Sequence, residues 1–247
     1  MSGIKGTDGE SSAWQTRDTV DRFLERRQAI PLAAEQLEVI LEIIRCWWPD
    51  PKSILDLGCG DGALGRAVLE KYQEVRITFA DFSKPMLDQL RTKIGQGSRA
   101  IIVETDFSTP DWIDQIRDLP FDVVLSGFAI HHQPHERKRA LYGEIHGTLN
   151  PGGIFLNLEH VASATGAVEA VHDDFYVDHL HRFQSPGSER RSRAEIDKEY
   201  RFRRDKGENI LAMVEEQCDW LREVGFQDVD CFFKIFELAL FGGRRPQ

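Results

Sequence analysis

Short apolar runs alternate with amphipathic stretches through the middle of the chain. The runs have the length of strands, and the stretches between them repeat apolar positions at helical spacing. The predicted strands cover residues 53–57, 75–80, 100–104, 121–126 and 153–158, and the predicted helices cover residues 63–72, 84–94, 112–119 and 135–149. This alternation predicts right-handed crossovers and a parallel sheet with helices on both faces. The fold class is therefore α/β, and the pattern alone identifies no chemistry.

The two ends of the chain depart from this alternation. Apolar spacings of three and four predict helices between Trp14 and Trp48, separated at Pro31. Residues 161–208 form a polar, partly helical insert that is too long for a simple connection. After the insert, the pattern predicts a helix over 209–224 and two short strands, over 229–233 and 238–241, joined by a tight turn.

Composition narrows the class of protein. The 247 residues suit one globular domain of generous size, with 41% hydrophobic and 29% charged residues. The 31 basic and 41 acidic residues leave a net charge of -10, which disfavours nucleic acid as a partner.

The four cysteines form no CxxC pair, so they indicate neither a zinc ribbon nor a redox pair, and they suit a reducing compartment. No run approaches the ~20 apolar residues that cross a bilayer, and residues 1–13 lack the apolar part of a signal peptide. We therefore expect a cytoplasmic protein without a membrane partner.

The most informative stretch is the loop after the first predicted strand. Gly58, Gly60 and Gly62 allow close approach of a ligand to the backbone, in conformations that other residues disfavour. The helix that begins near Ala63 directs free N–H groups and the positive end of its dipole at that ligand. Gly60, Gly62 and Gly65 also satisfy GxGxxG, the dinucleotide fingerprint, so the loop alone leaves a nicotinamide oxidoreductase open.

Acidic residues around this loop favour a cationic ligand. Asp56 stands two residues before the first glycine, in position to meet an ammonium, whereas Asp56 and Asp61 would repel a pyrophosphate. Asp81 ends the second predicted strand, where a carboxylate accepts hydrogen bonds from ribose hydroxyls. Asp106 and Phe107 follow the third strand and offer an acceptor for an exocyclic amine and an aromatic face for a purine. An adenosine that carries an amino acid satisfies all three features.

Together these pieces resemble the core of the class I S-adenosylmethionine-dependent methyltransferases, over residues ~50–160. The matching pieces are residues 56–62, Asp81, Asp106 with Phe107, residues 121–126 and residues 149–153. The resemblance implies a Rossmann-like, mostly parallel sheet of seven strands with an antiparallel last strand, which agrees with the strand pair predicted at the end of the chain. It also implies S-adenosylmethionine as cofactor, with Gly58 and Gly60 at the methionine part, Asp81 at the ribose, and Asp106 and Phe107 at the adenine. The predicted cofactor-binding residues are Asp56, Gly58, Cys59, Gly60, Asp81, Phe82, Asp106, Phe107 and Ser126.

The predicted organisation has four parts. They are an N-terminal helical lid over 1–49, an S-adenosylmethionine-binding core over 50–160, a helical insert or substrate lid over 161–208, and a C-terminal helix with the strand pair over 209–247.

Candidate catalytic residues follow the fourth and fifth predicted strands. Displacement at an activated sulfonium needs collinear approach and exclusion of water, and a general base near the methyl group assists it. Ligands of open parallel sheets bind beyond the carboxyl ends of the strands. The candidates there are His131, His132, Glu159 and His160. Alternatively, one of these histidines only hydrogen-bonds the backbone, and their spacing matches no stringent metal signature, so we predict no metal site.

The insert bears on the substrate. Its arginines either pair with acidic neighbours on a solvated helix, which we expect by default, or bind an anionic substrate. The tail from Tyr200 onward also resembles the carboxy-S-adenosylmethionine synthases that serve wobble-uridine modification of transfer RNA. In that resemblance Arg204, five residues before Asn209, holds a carboxylate, although the surrounding insert departs from that family's pattern. The substrate candidates are Tyr176, Tyr200 and Arg204.

These observations predict a methyltransferase that acts on a small molecule. Three alternatives stay open: an enzyme of the carboxy-S-adenosylmethionine synthase or tRNA-modification type, a non-catalytic cofactor-binding protein, and a nicotinamide oxidoreductase. The sequence does not identify the acceptor, and it leaves a homodimer open.

Overall fold

A mixed sheet of seven strands runs through the part of the chain that the structure describes. The structure is a computed structural model, and it describes residues 15, 29–95, 99–117, 119–184 and 190–247. The strands are β1 (Ser53–Leu57), β2 (Arg76–Asp81), β3 (Ala100–Glu104), β4 (Phe121–Gly127), β5 (Leu149–His160), β6 (Gln227–Ile235) and β7 (Leu238–Arg244). Their order in the sheet is β3-β2-β1-β4-β5-β7-β6. The first five strands pair in parallel, and β7 is antiparallel to both of its neighbours. The predicted mostly parallel, seven-stranded α/β fold is confirmed.

Helices connect the parallel strands and cover the sheet. They are α1 (Ala33–Trp47), α2 (Ala63–Lys71), α3 (Lys84–Lys93), α4 (Trp112–Gln115), α5 (His135–Thr148), α6 (Gly166–Arg182), α7 (Arg193–Arg201) and α8 (Val214–Val224). Two short 3-10 turns, Ile130–His132 and Arg204–Glu208, lie near the site described below. Helices α6 and α7 belong to the predicted insert and pack on each other.

The central strands are apolar on both sides because both faces of the sheet are covered. Ile54 packs in a core cluster with Val123, while its neighbour Leu55 packs in a second cluster with Val124. Consecutive strand residues point to opposite faces, so each central strand contributes to two cores. This sandwich of helix, sheet and helix fixes the carboxyl ends of the strands, where the loops of the site begin.

Two predicted helices are shorter than their apolar patterns indicate. The helix predicted over 112–119 ends at Gln115, and Ile116 is already extended as the chain approaches Pro120. Residues before a proline disfavour helical backbone. The helix predicted over 209–224 begins only at Val214, because residues before it bond across the fold: the N–H of Ile210 donates to His131 O at 2.9 Å.

The predicted N-terminal helices are described only from residue 29 onward, apart from residue 15. Within that part, α1 confirms a helix, and the rest of the predicted lid lies outside the described residues. Among the described helices, none has the length and apolar character needed to span a bilayer.

Candidate functional site

A cavity of about 590 Å³ opens at the carboxyl ends of the parallel strands. It lies beyond the end of β1, next to the loops after β2, β3 and β4, and α1 covers part of it. Of the predicted cofactor-binding residues, those that line the cavity are Asp56, Gly58, Cys59, Gly60, Asp81, Phe82, Asp106 and Phe107. Ser126 is fully buried in β4 and is not among the lining residues. A ligand site beyond the carboxyl ends of strands is expected for this type of sheet.

The glycine loop forms one wall of the cavity in left-handed backbone conformations. Gly58, Gly60 and Gly62 have φ values of +67°, +53° and +75°. A Cβ atom on Gly58 would lie 2.3 Å from Cβ of Ala129, so packing requires glycine there. A Cβ atom on Gly60 would meet only Met86 Sδ, at 3.8 Å, so at this position the backbone conformation rather than packing favours glycine.

Two buried carboxylates hold this loop. Asp56 Oδ2 accepts the N–H of Gly65 at 2.9 Å, at the start of α2. Asp81 accepts the N–H of Gly60 at 2.8 Å through one oxygen and that of Ser83 at 2.7 Å through the other. Burial raises the pKa of Asp56 to about 7 and that of Asp81 to about 6, although these hydrogen bonds act in the opposite direction. Both carboxyls therefore lie in surroundings that a cationic ligand would complement.

Asp61 contributes less negative charge to the cavity than the sequence predicts. Its carboxylate forms an ion pair with Lys93, which reaches it from the last turn of α3. Because the ammonium compensates the buried carboxylate, the sequence argument that Asp61 repels phosphates does not hold. The positive side chain comes from 32 residues away in sequence, so local spacing contained no signal for it.

The residues predicted to contact a purine lie together after β3. Asp106 is exposed, and its Oδ1 accepts the N–H of Ser108 at 2.8 Å, which closes a local turn. Phe107 is buried and packs beside Gly58. Both the predicted hydrogen-bond acceptor, Asp106, and the predicted aromatic ring, Phe107, therefore line the cavity. Asp106 also stabilises the turn that contains Ser108.

The four predicted catalytic residues form one connected polar group at the ends of β4 and β5. His131 Nδ1 lies 2.6 Å from Glu159 Oε1, and the N–H of His160 donates to the same oxygen at 3.0 Å. The rings of His131 and His132 contact each other in a tilted arrangement, with centroids 3.9 Å apart. Only His132 of the four lines the cavity. Burial lowers the pKa of His131 well below its ordinary value and raises that of Glu159 to about 7, so near neutral pH His131 is neutral and Glu159 is partly protonated.

His132 is oriented by a backbone carbonyl. Its Nδ1 lies 3.2 Å from Glu208 O in the second 3-10 turn. A carbonyl oxygen only accepts hydrogen bonds, so Nδ1 carries the proton and Nε2 is the acceptor atom of the ring. Burial lowers the pKa of His132 to about 4, so the ring is neutral at physiological pH.

His160 points away from the cavity into a second polar cluster. Its Nε2 lies 2.8 Å from Glu237 Oε2, in the turn between β6 and β7. His172 of α6 lies against the same carboxylate oxygen, with Nε2 at 3.6 Å. His172, which the sequence pattern did not single out, is only 1% exposed. Helical periodicity could not find this cluster, because the residues come from β5, α6 and a turn near the end of the chain.

The predicted substrate residues belong to the insert, and Tyr176 and Tyr200 lie outside the cavity lining. The rings of Tyr176 and Tyr200 stack with centroids 5.1 Å apart, and both belong to the small core between α6 and α7. The guanidinium of Arg203 lies over the Tyr200 ring, 4.3 Å from its centroid. The backbone of Arg204 begins the second 3-10 turn, and its side chain lies outside the described part of the structure.

The arginines of the insert largely pair with acidic residues, as expected by default. Arg193 and Arg201 both reach Asp174 of α6, and Arg191 pairs with Glu199. Asp174 comes from the other helix rather than from the neighbouring turn, because α6 and α7 pack together.

Lys138 is a buried residue near the site that the sequence analysis did not select. Its Nζ donates to the carbonyl oxygens of Ile210 and His131, and burial lowers its pKa to about 8. It ties the segment before α8 to the turn that holds His131. On a helix with charged neighbours, its position in sequence looked like surface.

A family profile described as a methyltransferase domain matches residues 55–155, from β1 to β5. The matched residues contain the glycine loop, the two buried carboxylates and His132, all of which contribute to the cavity wall. Over these residues the chain is similar to a methyltransferase domain, as the class I S-adenosylmethionine-dependent methyltransferase resemblance predicts. The resemblance seen in the sequence is thereby confirmed.

The similarity to known proteins extends beyond the matched domain. Carboxy-S-adenosyl-L-methionine synthase of Campylobacter lari is 25% identical over 216 residues, which cover 87% of this chain and 86% of the relative. An O-methyltransferase family protein from Burkholderia thailandensis has a TM-score of 0.67 at 17% identity, over 96% of this chain and 62% of that structure. Human N-acetylserotonin methyltransferase, solved in complex with SAM, has a TM-score of 0.60 at 16% identity, over 95% and 58%. The chain thus spans about three fifths of the length of these two solved structures, and at such identities the likeness is one of fold.

Proposed function

We propose that this methyltransferase transfers the methyl group of S-adenosylmethionine to a small-molecule acceptor by direct displacement. The proposal rests on a single cavity that is lined on one side by a cofactor-type loop with carboxylates and on the other side by an imidazole. The glycine loop with Asp56 and Asp81 forms one wall, and His132 stands on the other. A volume of about 590 Å³ lies within the range of small-molecule sites.

The residues present fit the cofactor. S-adenosylmethionine carries an ammonium, a sulfonium and a ribose, and when bound it supplies an activated methyl group. Buried carboxylates with raised pKa values gain from a positive neighbour, and Asp56 and Asp81 are both of this kind. Gly58 and Gly60 would border the methionine part, Asp81 the ribose, and Phe107 the adenine. The complex of human N-acetylserotonin methyltransferase with SAM supports this choice at the level of fold.

His132 is the residue that we assign as general base. Its Nδ1–H donates to Glu208 O, so Nε2 is the ring nitrogen that would accept a proton from an acceptor hydroxyl, amine or thiol. A neutral ring is required for this task, and burial keeps the ring neutral above about pH 4. We assign His131 and Glu159 as positioning residues. Glu159 contacts the ring of His131, which packs against the ring of His132, and neither residue lines the cavity.

The N-terminal part and the insert would cover the bound reactants. Ile30, Gln36 and Leu37 at the start of α1 line the cavity, and Gln15 donates to Phe82 O at 3.0 Å. These contacts support the assignment of residues 1–49 as a lid. Exclusion of water is the main requirement of a displacement at sulfur that needs little covalent assistance.

The test joins binding and turnover. Calorimetry should show binding of S-adenosylhomocysteine and none of NADH, which contrasts the methyltransferase with the nicotinamide alternative. A mass-spectrometric screen with S-adenosylmethionine and metabolite pools should reveal a compound that gains one methylene.

His132→Gln should lower kcat about 100-fold or more while the affinity for S-adenosylhomocysteine changes little. His135→Gln is the matched control, because His135 is exposed at the start of α5. Tight NADH binding, or full turnover by His132→Gln, would contradict the proposal.

A second candidate function follows from the extent of one relative. The likeness to the Campylobacter lari synthase covers 87% of the chain, well beyond the matched domain. The name of that relative denotes a carboxylated cofactor as the product. The same mass-spectrometric screen separates the two functions, because a synthase adds a carboxylate to the cofactor itself and leaves no methylated metabolite.

A further inference from the structure

The cluster of His160, His172 and Glu237 has a composition and geometry that the methyl-transfer proposal does not use. The three residues come from the end of β5, from α6 and from the turn between β6 and β7. Their ligand atoms all lie within 4.8 Å of one another. His172 is 1% exposed and Glu237 is 4% exposed, so the group is shielded from solvent.

His172 has no short hydrogen bond in the described structure. Its Nε2 lies 3.6 Å from Glu237 Oε2 and 3.5 Å from the hydroxyl of Tyr200, and its buried Nδ1 has no hydrogen-bond partner among the described residues. Buried polar groups normally have such partners, so a buried imidazole without one is unusual. The Nε2 atom of His172 faces the Glu237 carboxylate but is too far from it for a good hydrogen bond. This spacing fits a site in which an ion lies between the two side chains.

A metal ion fits this gap. Zinc binds imidazole nitrogen and carboxylate oxygen at about 2.0–2.2 Å, so two ligands of a tetrahedral ion stand roughly 3.3 Å apart. The separation of 3.6 Å between His172 Nε2 and Glu237 Oε2 is close to this spacing. The separation of 2.8 Å between His160 Nε2 and the same oxygen needs an adjustment of about half an ångström, or a shift to the other carboxylate oxygen.

We propose that His160, His172 and Glu237 bind one divalent transition-metal ion of the zinc type. Two imidazoles suit zinc, iron, cobalt or nickel, whereas magnesium and calcium prefer oxygen ligands alone. Two histidines and one carboxylate leave at least one coordination position for water or a substrate atom. This assignment replaces the sequence expectation of no metal site, which considered only residues that are near one another in the chain.

The position of the cluster suggests what the open coordination position serves. A row of imidazoles connects the cavity to the cluster. His132 lines the cavity, and the ring of His131 packs against it. The ring centroid of His160 lies 5.8 Å from that of His131 and 5.8 Å from that of His172. A ligand atom on the ion would therefore lie on the insert side of the general base, next to Tyr200. A role for the ion in holding an anionic or thiol group of the acceptor rests on the proposed function, whereas binding of the ion does not.

The test is a metal titration of tag-free, full-length protein after treatment with a chelator. Co²⁺ alone should produce the visible absorption of a low-coordinate site and saturate at one ion per chain, and Zn²⁺ should displace it. His172→Gln and Glu237→Gln should each weaken Co²⁺ binding by at least about tenfold. His181→Gln is the matched control, since His181 lies on the same helix, near the end of α6, and is exposed. Circular dichroism and thermal unfolding show whether each variant is folded.

Every outcome of this titration decides the proposal. Absence of a Co²⁺ signal from the wild-type protein overturns it, whatever the variants do. Equal affinity in the wild type and in folded His172→Gln and Glu237→Gln variants also overturns it, because the ion would then bind elsewhere. Since the titration uses neither cofactor nor acceptor, its failure leaves the methyl-transfer proposal standing, and a failure to bind S-adenosylhomocysteine leaves the metal result standing.

Discussion

Glu159 holds His131 through both the ring and the backbone. Glu159 Oε1 lies 2.6 Å from His131 Nδ1, and Glu159 Oε2 accepts the His131 N–H at 3.0 Å. The carboxyl is fully buried at the end of β5 and thereby ties that strand to the turn after β4. His131 in turn packs against His132, the ring that reaches the cavity.

Replacement of Glu159 by Gln should therefore affect turnover more than binding. The amide keeps the volume but directs an NH2 group at donors that need an acceptor, so we expect kcat to fall about tenfold and stability to fall by about 1–3 kcal/mol. KM for the cofactor should change little, because Glu159 does not line the cavity. Steady-state kinetics and thermal unfolding measure both effects, with exposed Glu136→Gln as control. An unchanged kcat would show that the pair has no positioning role.

Cofactor affinity should rise with pH through the range set by Asp56 and Asp81. Their pKa values are raised to about 7 and about 6, so both carboxyls take up protons below that range, and a cationic ligand binds better to the ionised form. We expect affinity for S-adenosylmethionine to increase between about pH 5 and 7, by up to about tenfold per pH unit for each proton released. Calorimetry in buffers of different ionisation enthalpy measures that release.

Asp56→Asn provides the contrast for this pH dependence. The variant should bind the cofactor more weakly at pH 7 and should release fewer protons, whereas Asp106→Asn should retain the release because Asp106 is exposed. The free wild-type protein should also lose stability as pH rises from about 4 to 7, because a raised native pKa makes the native state hold more protons than the unfolded state. Proton release that is the same in wild type and Asp56→Asn would exclude Asp56 as its source.

Two glycine substitutions should have opposite effects on stability. Gly58→Ala places a Cβ atom 2.3 Å from Cβ of Ala129 at a φ of +67°, so we expect a loss of about 2–4 kcal/mol. Gly143→Ala lies in α5, and no atom of the described residues would lie within 4 Å of the added atom, so we expect a gain of about 0.5–1 kcal/mol. Denaturant unfolding of the two variants tests the loop geometry directly. A tolerated alanine at position 58 would show that the loop approaches Ala129 less closely.

Lys93 should stabilise the protein by neutralising Asp61. Asp61 is 2% exposed and Lys93 about one third exposed, so Lys93→Met should cost about 1–3 kcal/mol, less than the loss of a partner in a fully buried pair. The double variant Lys93→Met with Asp61→Asn should recover part of this loss, since no buried carboxylate then lacks its cation. Urea unfolding of the four members of this cycle measures the coupling. A double variant no more stable than Lys93→Met would contradict the compensation.

Much of the core followed from local patterns. The apolar runs at 53–57 and 100–104 coincide with β1 and β3 as observed. The spacing of Asp56, Gly58 and Gly60 was enough to predict a cradle, because strand, turn and helix N-terminus follow one another within a dozen residues. The antiparallel end of the sheet also agreed, since the strand pair and its tight turn are local features.

The sequence by itself determined the α/β order, the glycine loop and the kinds of side chain at the ends of the strands, since these depend on residues that are neighbours in the chain. Only the tertiary structure decided that Lys93 compensates Asp61, that His132 alone among the four candidates faces the cavity, and that His172 joins His160 and Glu237 in the interior. Those relationships join residues tens of positions apart, and burial sets their charge states. Burial depends on how the helices pack on the sheet, which local periodicity does not specify.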